Sequence, residues 1–512
     1  MRSRELGEGS ATTAGEESVH RVTLPPLVFE PRDPGEEQAR EATGRFEPGV
    51  SDWIYLPIEV PPGVSQLAVA YGYDDVAPPS GEPGNALDIG IFDERGIDLG
   101  PRAGFRGWSG GARRHFTISA EAATPGYLPG PITAGTWHVL LGPYTVAPGG
   151  LRWRVGVRLT FGLSGPSRRP APPPSSVPGR GAGWYRGDLH LHTVHSDGRR
   201  LPAEMVTAAR ARGLDFINSS EHNTSSSHAV WGTCGDPELL ILTGEEPSTR
   251  DGHFVVAGLP AGAWIDWRYR AQDGVLPRVL DEVHQAGALA VVGHPFADCL
   301  GCSWRFGYDG FDAVEVWNGP WTPDDEAAIS AWDGMLRRAA QRPDGGWLPA
   351  VGGSDAHREP DRIGLPQTVV FADLLSRDAL LASLRQGRAW IAESASVDLE
   401  LRARAPAQEP EHGQAQASPA AEVGIGERLR VTRDALVEVR LDVRGVAGGE
   451  VRLLTDDGLV VSAALPANGA GSVTWRTRAR TSAYVRAEVR HPSGAGGQEM
   501  AALTNPIFLG AT

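Results

Sequence analysis

Cysteine is scarce in this chain, with three in 512 residues. Cys299 and Cys302 form one CxxC with only Cys234 to join them. That excludes a disulfide framework and a structural zinc site of four sulfurs. The pair reads as structural or incidental, with a disulfide as the lesser alternative. Long apolar runs are missing as well. No stretch approaches the ~18 residues of a membrane span, and the opening MRSRELGEGSATTAGEESVH has no apolar core of the kind a signal peptide needs. A cytoplasmic protein with no membrane partner is the expectation. Positive charge is in deficit: 48 Lys and Arg against 63 Asp and Glu give a formal charge of −15. This argues against nucleic acid as the main partner, because phosphate backbones are bound by basic surfaces. It leaves room for a small phosphorylated substrate, since a bound metal inverts the local field.

What is present is the mixture of a soluble globular protein, 41% apolar and 22% charged, with length for two to four domains. The 65 glycines and 41 prolines suit turns and loops better than a helical bundle. Residues 1–20 read as a disordered lead-in. From 21 to 163, short apolar runs such as WIYLPIEV, ALDIGIF and LRWRVGVRLTF are separated by Pro/Gly clusters, which predicts an antiparallel sandwich or jelly roll. The proline-dense stretch 164–183 predicts an extended spacer. From 184 to 395 apolar runs alternate with helical periods: LPAEMVTAARARG, VLPRVLDEVHQAG, DDEAAISAWDGMLRRAAQ and RDALLASLRQGR read as helices. Such alternation predicts parallel strands with crossover helices, an open α/β sheet or a barrel. Residues 396–512 return to strand-like text and predict a second small sandwich, with a low-complexity loop at 402–422 and a tail, ALTNPIFLG, that completes the sandwich or returns to the middle domain.

The chemistry gathers in the middle segment. GDLHLHTVHSDG, residues 187–198, holds three histidines and two aspartates. The candidate metal ligands are His190, His192, Asp197, His222, Glu245, His253, His294, Asp355 and His357. Nearly every one follows an apolar strand: LDFIN precedes His222, LLILT precedes Glu245, LAVV precedes His294, and LPAV precedes Asp355. In a parallel α/β barrel the C-terminal strand ends open on one face, so residues far apart in the chain converge there. Taken singly, HxH is more often surface or core than ligand, TGEE fits an acidic helix start, and SDxH fits a helix cap. Recurrence at one end of each strand favours a metal site. Imidazole with carboxylate suits zinc, manganese or iron(II), and nine candidates exceed one tetrahedral site, implying two or three metals. His195 and Asn318 are candidate substrate contacts at the rim, and Arg186, Arg305 and Arg358 candidate anion clamps.

GDLHLHTVHSDG, SSEH, TGEE, GHP and GGSDAH, in this order, resemble the motifs of the PHP (polymerase and histidinol phosphatase) superfamily. DGHFVVAGL, AVEVWNGPW and ALTNP resemble its CehA/McbA-like metallohydrolases. The resemblance implies a distorted (β/α)7 barrel flanked by two β-sandwiches. It implies a first metal on His190, His192, Glu245 and Asp355, and a second bridged by Glu245 and completed by His253 and His294. Asp197, His222 and His357 would hold the third; Asp197 stands where some relatives have His. It further implies a phosphoesterase in which a hydroxide bridging two metals attacks phosphorus, with phosphodiesters favoured over monoesters. In that mechanism Glu245 serves as the bridge, and His222 or His357 protonates the leaving group. The alternatives are a carbamate or carboxylic ester hydrolase with the same centre, and a non-catalytic metal-stabilised binding module. A small ester substrate is the expected partner, with subunit pairing through the β modules as a further one.

Overall fold

The computed structural model describes residues 21–75, 84–101, 103–341, 346–405, 420–494 and 496–510. The lead-in 1–20 and most of the 402–422 loop lie outside the described residues. The N-terminal module consists of two sheets facing each other. One runs Arg21–Thr23, Trp53–Val60, Gly135–Thr145, Ala86–Phe92, Phe105–Gly110, with Leu27–Val28 beside Trp53–Val60; the other runs Glu37–Phe46, Leu151–Phe161, Val64–Tyr73, His115–Ser119. Period-two alternation explains the packing. In Leu151–Phe161 the residues Leu151, Trp153, Val155, Val157, Leu159 and Phe161 are buried while Arg152, Arg154 and Arg158 are exposed. The inward set meets Ile54, Leu56 and Ile58 of the other sheet in one core.

The middle segment is mixed α/β and rich in strands, with an α-helix on each of the four stretches that read as helices in the sequence. Six strands run in one direction: Gly183–Asp188, Phe216–Ser219, Leu240–Glu245, Leu289–Val292, Ala313–Asn318 and Ala350–Gly353. Between the third and fourth of them lies Gly252–Ala257, antiparallel to both neighbours. A six-residue connection from Glu246 to Asp251 is too short for a parallel crossover, so the strand must reverse. The α-helices here are Pro202–Ala211, Leu276–Gln285, Pro323–Ala340 and Arg377–Arg385. Helix Leu276–Gln285 buries Leu276, Val279, Leu280 and Val283 on one stripe. The two ends of the strand path meet: Leu191 pairs with Ala356, and Asp355 N–H donates to the His190 carbonyl at 2.7 Å. Residues 164–182 carry no helix or regular strand and are laid against this segment, with Val177 N–H on Leu375 O and Gly232 N–H on Ala171 O. They are extended, but docked rather than free.

The C-terminal strands continue the same sheet. Gln367–Ala372 pairs antiparallel with Gly183–Asp188, then Ala389–Ala392 with Gln367–Ala372, and Gln498–Thr504 with Ala389–Ala392. The tail therefore joins the middle segment and also pairs with Tyr484–Pro492. A separate sheet of Ala421–Val423, Asp398–Ala405, Leu436–Arg444 and Gly471–Arg478 closes a core over it, with Leu401, Val439, Val451 and Leu453 inside. Cys299 and Cys302 are joined as a disulfide, and Cys234 is free. Among the described residues no helix is long and apolar enough to cross a membrane.

Candidate metal centre

Strand direction assembles the site. His190, His222, Glu246, His294 and Asp355 each follow the C-terminal end of a co-directional strand by one to three residues. His253, second residue of the reversed strand Gly252–Ala257, reaches the same rim from its start. Their ligand atoms form four overlapping groups, each within 4.8 Å: His192, Asp197, His222 and His357; His190, His294 and Asp355; His190, His192 and Glu246; His222, Glu246 and His253. Eight of the nine sequence candidates are brought together here.

The ninth is displaced by one residue. Glu245 turns away and accepts from Ile265 N–H at 3.0 Å, because neighbours on an extended chain point to opposite faces. The acid among the histidines is Glu246. Its oxygens lie 3.3 Å from His190 Nε2, 3.4 Å from His192 Nε2, 2.8 Å from His222 Nδ1, and 3.1 Å from both His253 Nδ1 and His294 Nε2. The place among the imidazoles that the resemblance gives to Glu245 is therefore held by Glu246, which would be the carboxylate shared between cations. Asp355 Oδ1 stands 3.0 Å from His192 Nε2 and 3.4 Å from His190 Nε2. Asp197 Oδ1 is 3.3 Å from His357 Nε2 and 3.6 Å from His222 Nε2.

These residues fit divalent cations. His190 Nε2, His192 Nε2, Glu246 Oε2 and Asp355 Oδ1 are buried and have no hydrogen-bond partner, although they face one another. Buried polar atoms are normally satisfied, and a shared cation satisfies all four at once. The backbone is strained in the same place: the described non-glycine residues with positive φ are Asn223, His294 and Asp355, at 54°, 22° and 48°. Such conformations cost free energy and cluster at functional sites.

A supporting shell was missed in the sequence reading. Glu315, an acid inside the apolar run AVEVW, sets both oxygens 3.2 Å from His190 Nδ1 and accepts from His294 N–H at 2.9 Å. A carboxylate behind a ligating imidazole fixes its tautomer and raises its basicity. Replacing Glu315 by alanine should weaken metal binding by about 10–100-fold in a chelator competition, with the ligand set intact. Asp188 joins the two ligand turns, accepting from His190 N–H at 3.2 Å and Ser354 N–H at 2.9 Å. Glu221 takes Thr193 and Ser196 hydroxyls at 2.5 and 2.6 Å and so holds the loop before Asp197.

The remaining candidates divide. Asn318 is at the site, its amide 3.1 Å from Glu315 Oε2 and 3.5 Å from Asp355 Oδ2. Arg358 lines a cavity of about 500 Å³ that also touches Asp197, His222 and His253. His195 is not at the rim: it is buried, with Nδ1 2.9 Å from Ser226 Oγ. Arg186 is used up in the scaffold on Gln367 and the Ser394 and Val397 carbonyls. Arg305 is exposed beside Asp251 and lines neither cavity at the cluster.

Electrostatics follow burial and neighbours. Burial, then the adjacent His357 and His222, holds His192 down to about 3, so it presents a neutral nitrogen. Burial also depresses His222, but Glu246 and Asp197 outweigh it and lift the ring to about 10. Burial opposes ionisation of Glu246, yet His222 and His190 hold it well below the usual range. Away from the cluster, burial pushes His228 down to about 4; its Nε2 is 2.8 Å from Gly244 O, and its Nδ1 accepts from Gly262 N–H. Burial, then Arg113 and Arg168, takes His195 to about 3. A histidine buried neutral contributes its stability above its unfolded pKa near 6.5 and loses it as pH falls toward the folded value. Unfolding free energy should therefore decline from pH 6.5 to 4, by about 3 kcal/mol for His228 alone. Urea titrations at pH 7, 5.5 and 4.5 check this, and His228→Gln should flatten the slope.

Comparison with known proteins adds to this geometry. Residues 337–389 match the model of the family described as PHP-associated. No curated protein matches the chain. Among solved structures, a two-domain protein from Bacteroides vulgatus containing a predicted PHP-like metal-dependent phosphoesterase is 16% identical and covers 66% of this chain and 100% of its own, with a TM-score of 0.35. An amidohydrolase from Chromobacterium violaceum, with bound sulfate and no metal, is 18% identical and covers 35% of this chain and 89% of its own, with a TM-score of 0.26. The family match spans the turn that carries Asp355 and His357 into the cluster.

Proposed function

We propose that the protein is a metal-dependent phosphoesterase of the CehA/McbA-like kind, built on a PHP barrel with sandwich flanks, and that it prefers phosphodiesters to monoesters. The observation that carries this reading is the set of buried, mutually facing and otherwise unpartnered ligand atoms on His190, His192, Glu246 and Asp355. Two or three divalent cations, manganese, zinc or iron, suit the donor set; such ions supply Lewis-acid chemistry and acidify water.

The chain's own groups supply the rest. Arg199 and Arg358 are exposed at the rim of the wider cavity and are placed to draw in an anion. The Asn318 amide orients Asp355 and the back of the centre through Glu315. Preference for diesters is supported by room on two sides. A cavity of about 340 Å³ approaches past His294 and Asp355, and the one of about 500 Å³ past Asp197, His222 and His253. A monoester leaves one of these empty. His222 opens on the wider cavity, where a ring not engaged by a cation can hand a proton to the leaving oxygen.

Turnover of bis(4-nitrophenyl) phosphate, 4-nitrophenyl phosphate and a naphthyl carbamate, each with manganese, zinc or iron, tests the reading. The expected order is diester above monoester, with loss of activity on chelation. Hydrolysis of the carbamate alone would contradict it, as would activity indifferent to chelator and to His192→Ala.

A further inference from the structure

We propose that the N-terminal sandwich is the specificity half of the active site: it binds the second ester group of the substrate, a ring that carries a hydroxyl or amino donor. This rests on the phosphoesterase reading for the ester itself; the sandwich's role is carried by separate observations.

The wider cavity has two unlike walls. One is the cluster side, with Asp197, His222 and His253; the other comes from the sandwich, with Trp53, Asp88, Trp108 and Tyr144. The sandwich wall is aromatic and firm. Arg250, itself 9% exposed, lies with its guanidinium 4.1 Å from the Tyr144 ring centroid and 5.1 Å from that of Trp53, and 3.3 Å from Asp88 Oδ2. That pairing occupies one oxygen of Asp88. The other, Oδ1, looks toward a glycine pair: a methyl built on Gly110 would meet it and Trp108 Nε1 at 3.6 Å, and one on Gly111 would find only that oxygen, at 3.9 Å. So a carboxylate acceptor and an indole edge face open space between aromatic walls. Rings stack on such walls, and a carboxylate selects among rings for those with a donor.

The wall is held in register with the cluster. Arg113 of the sandwich donates to the Ser196 carbonyl at 2.8 Å and to the Val194 carbonyl, gripping the loop that bears Asp197. Asp52 accepts from Nε and Nη2 of Arg270 at 2.8 and 2.9 Å. Gly126 N–H donates to Ser226 Oγ at 3.0 Å. A module that only shielded the barrel would need no acceptor aimed into the cavity.

Two readouts on the full-length, metal-loaded protein test this. Calorimetry with methylphosphonate, phenylphosphonate and 4-hydroxyphenylphosphonate should give affinity rising in that order, by about tenfold or more from first to last. Asp88→Asn should erase the gain from the hydroxyl. Gly111→Leu, whose Cβ would have only Asp88 Oδ1 within 4 Å, at 3.9 Å, puts a side chain into that space and should abolish the gain from the ring; methylphosphonate binding to the same variant reports whether the centre itself is intact. Equal affinities across the series, or ring binding that survives Gly111→Leu, would overturn the proposal. Nitrophenyl diesters bearing the same second groups separate the two claims. Discrimination in binding without turnover of any ester removes the phosphoesterase reading and keeps the subsite. Turnover without discrimination does the reverse.

Discussion

Changing Glu246 to glutamine is expected to strip the metal centre, whereas the same change at the neighbouring Glu245 leaves it intact. Glu246 is fully buried and faces nitrogens of five histidines. Glutamine keeps its shape and removes its charge, so cations held there would lose their shared anionic partner at a position that is itself fully buried. Removing one member of a buried charged set costs about 3–5 kcal/mol, so metal affinity should fall by about 10²–10³-fold or more, and turnover with it. Glu245 is equally buried but sits on the other face of the chain, bonded to Ile265 N–H. Burial, then the nearby Asp266, pushes its carboxyl well above the usual range. Glutamine matches its shape and keeps an oxygen for Ile265 N–H, and Glu245→Gln should change stability by less than about 1 kcal/mol with metal content unchanged. Chelator competition and thermal unfolding on the two variants read both outcomes; equal loss in both would move the bridge away from Glu246.

Gly353→Ala is the second change with a large expected effect. A Cβ there would lie 2.4 Å from His190 Cβ and 2.9 Å from Glu315 Oε1, closer than packed atoms come. His190 cannot yield freely, since its ring is held between Glu315 on Nδ1 and Glu246 with Asp355 on Nε2. Overpacking of this kind costs about 1–3 kcal/mol, and a displaced imidazole loses its aim at the metal. We expect a lower Tm together with metal affinity down by about 10²-fold. Gly72→Ala is the control, because nothing lies within 4 Å of a Cβ there; it should change neither.

Much of this centre was legible in the sequence, for a definable reason. His222, His294 and Asp355 announce themselves because each ends an apolar run, and co-directional strands put those ends on one rim. The choice between Glu245 and Glu246 was not legible. Every residue of Leu240–Glu245 is buried, so alternation of apolar and polar residues, the usual guide to which face a side chain takes, is silent there. Glu315 could have been found: a carboxylate in the middle of AVEVW has no place in a buried strand unless something cationic faces it. The reversed direction of Gly252–Ala257 was also open to inference from the length of its connection. Asp88, Trp108 and Arg113 were out of reach. Their importance comes from how one module docks on another, and local periodicity carries no trace of that.

Anomalous diffraction from crystals grown with manganese or zinc would locate cations among the clustered histidines and acids. About two or three peaks are expected, among His190, His192, Glu246 and Asp355, among His222, Glu246 and His253, and beside Asp197 and His357. Saturating metal with no anomalous density among these side chains would contradict a metal centre there.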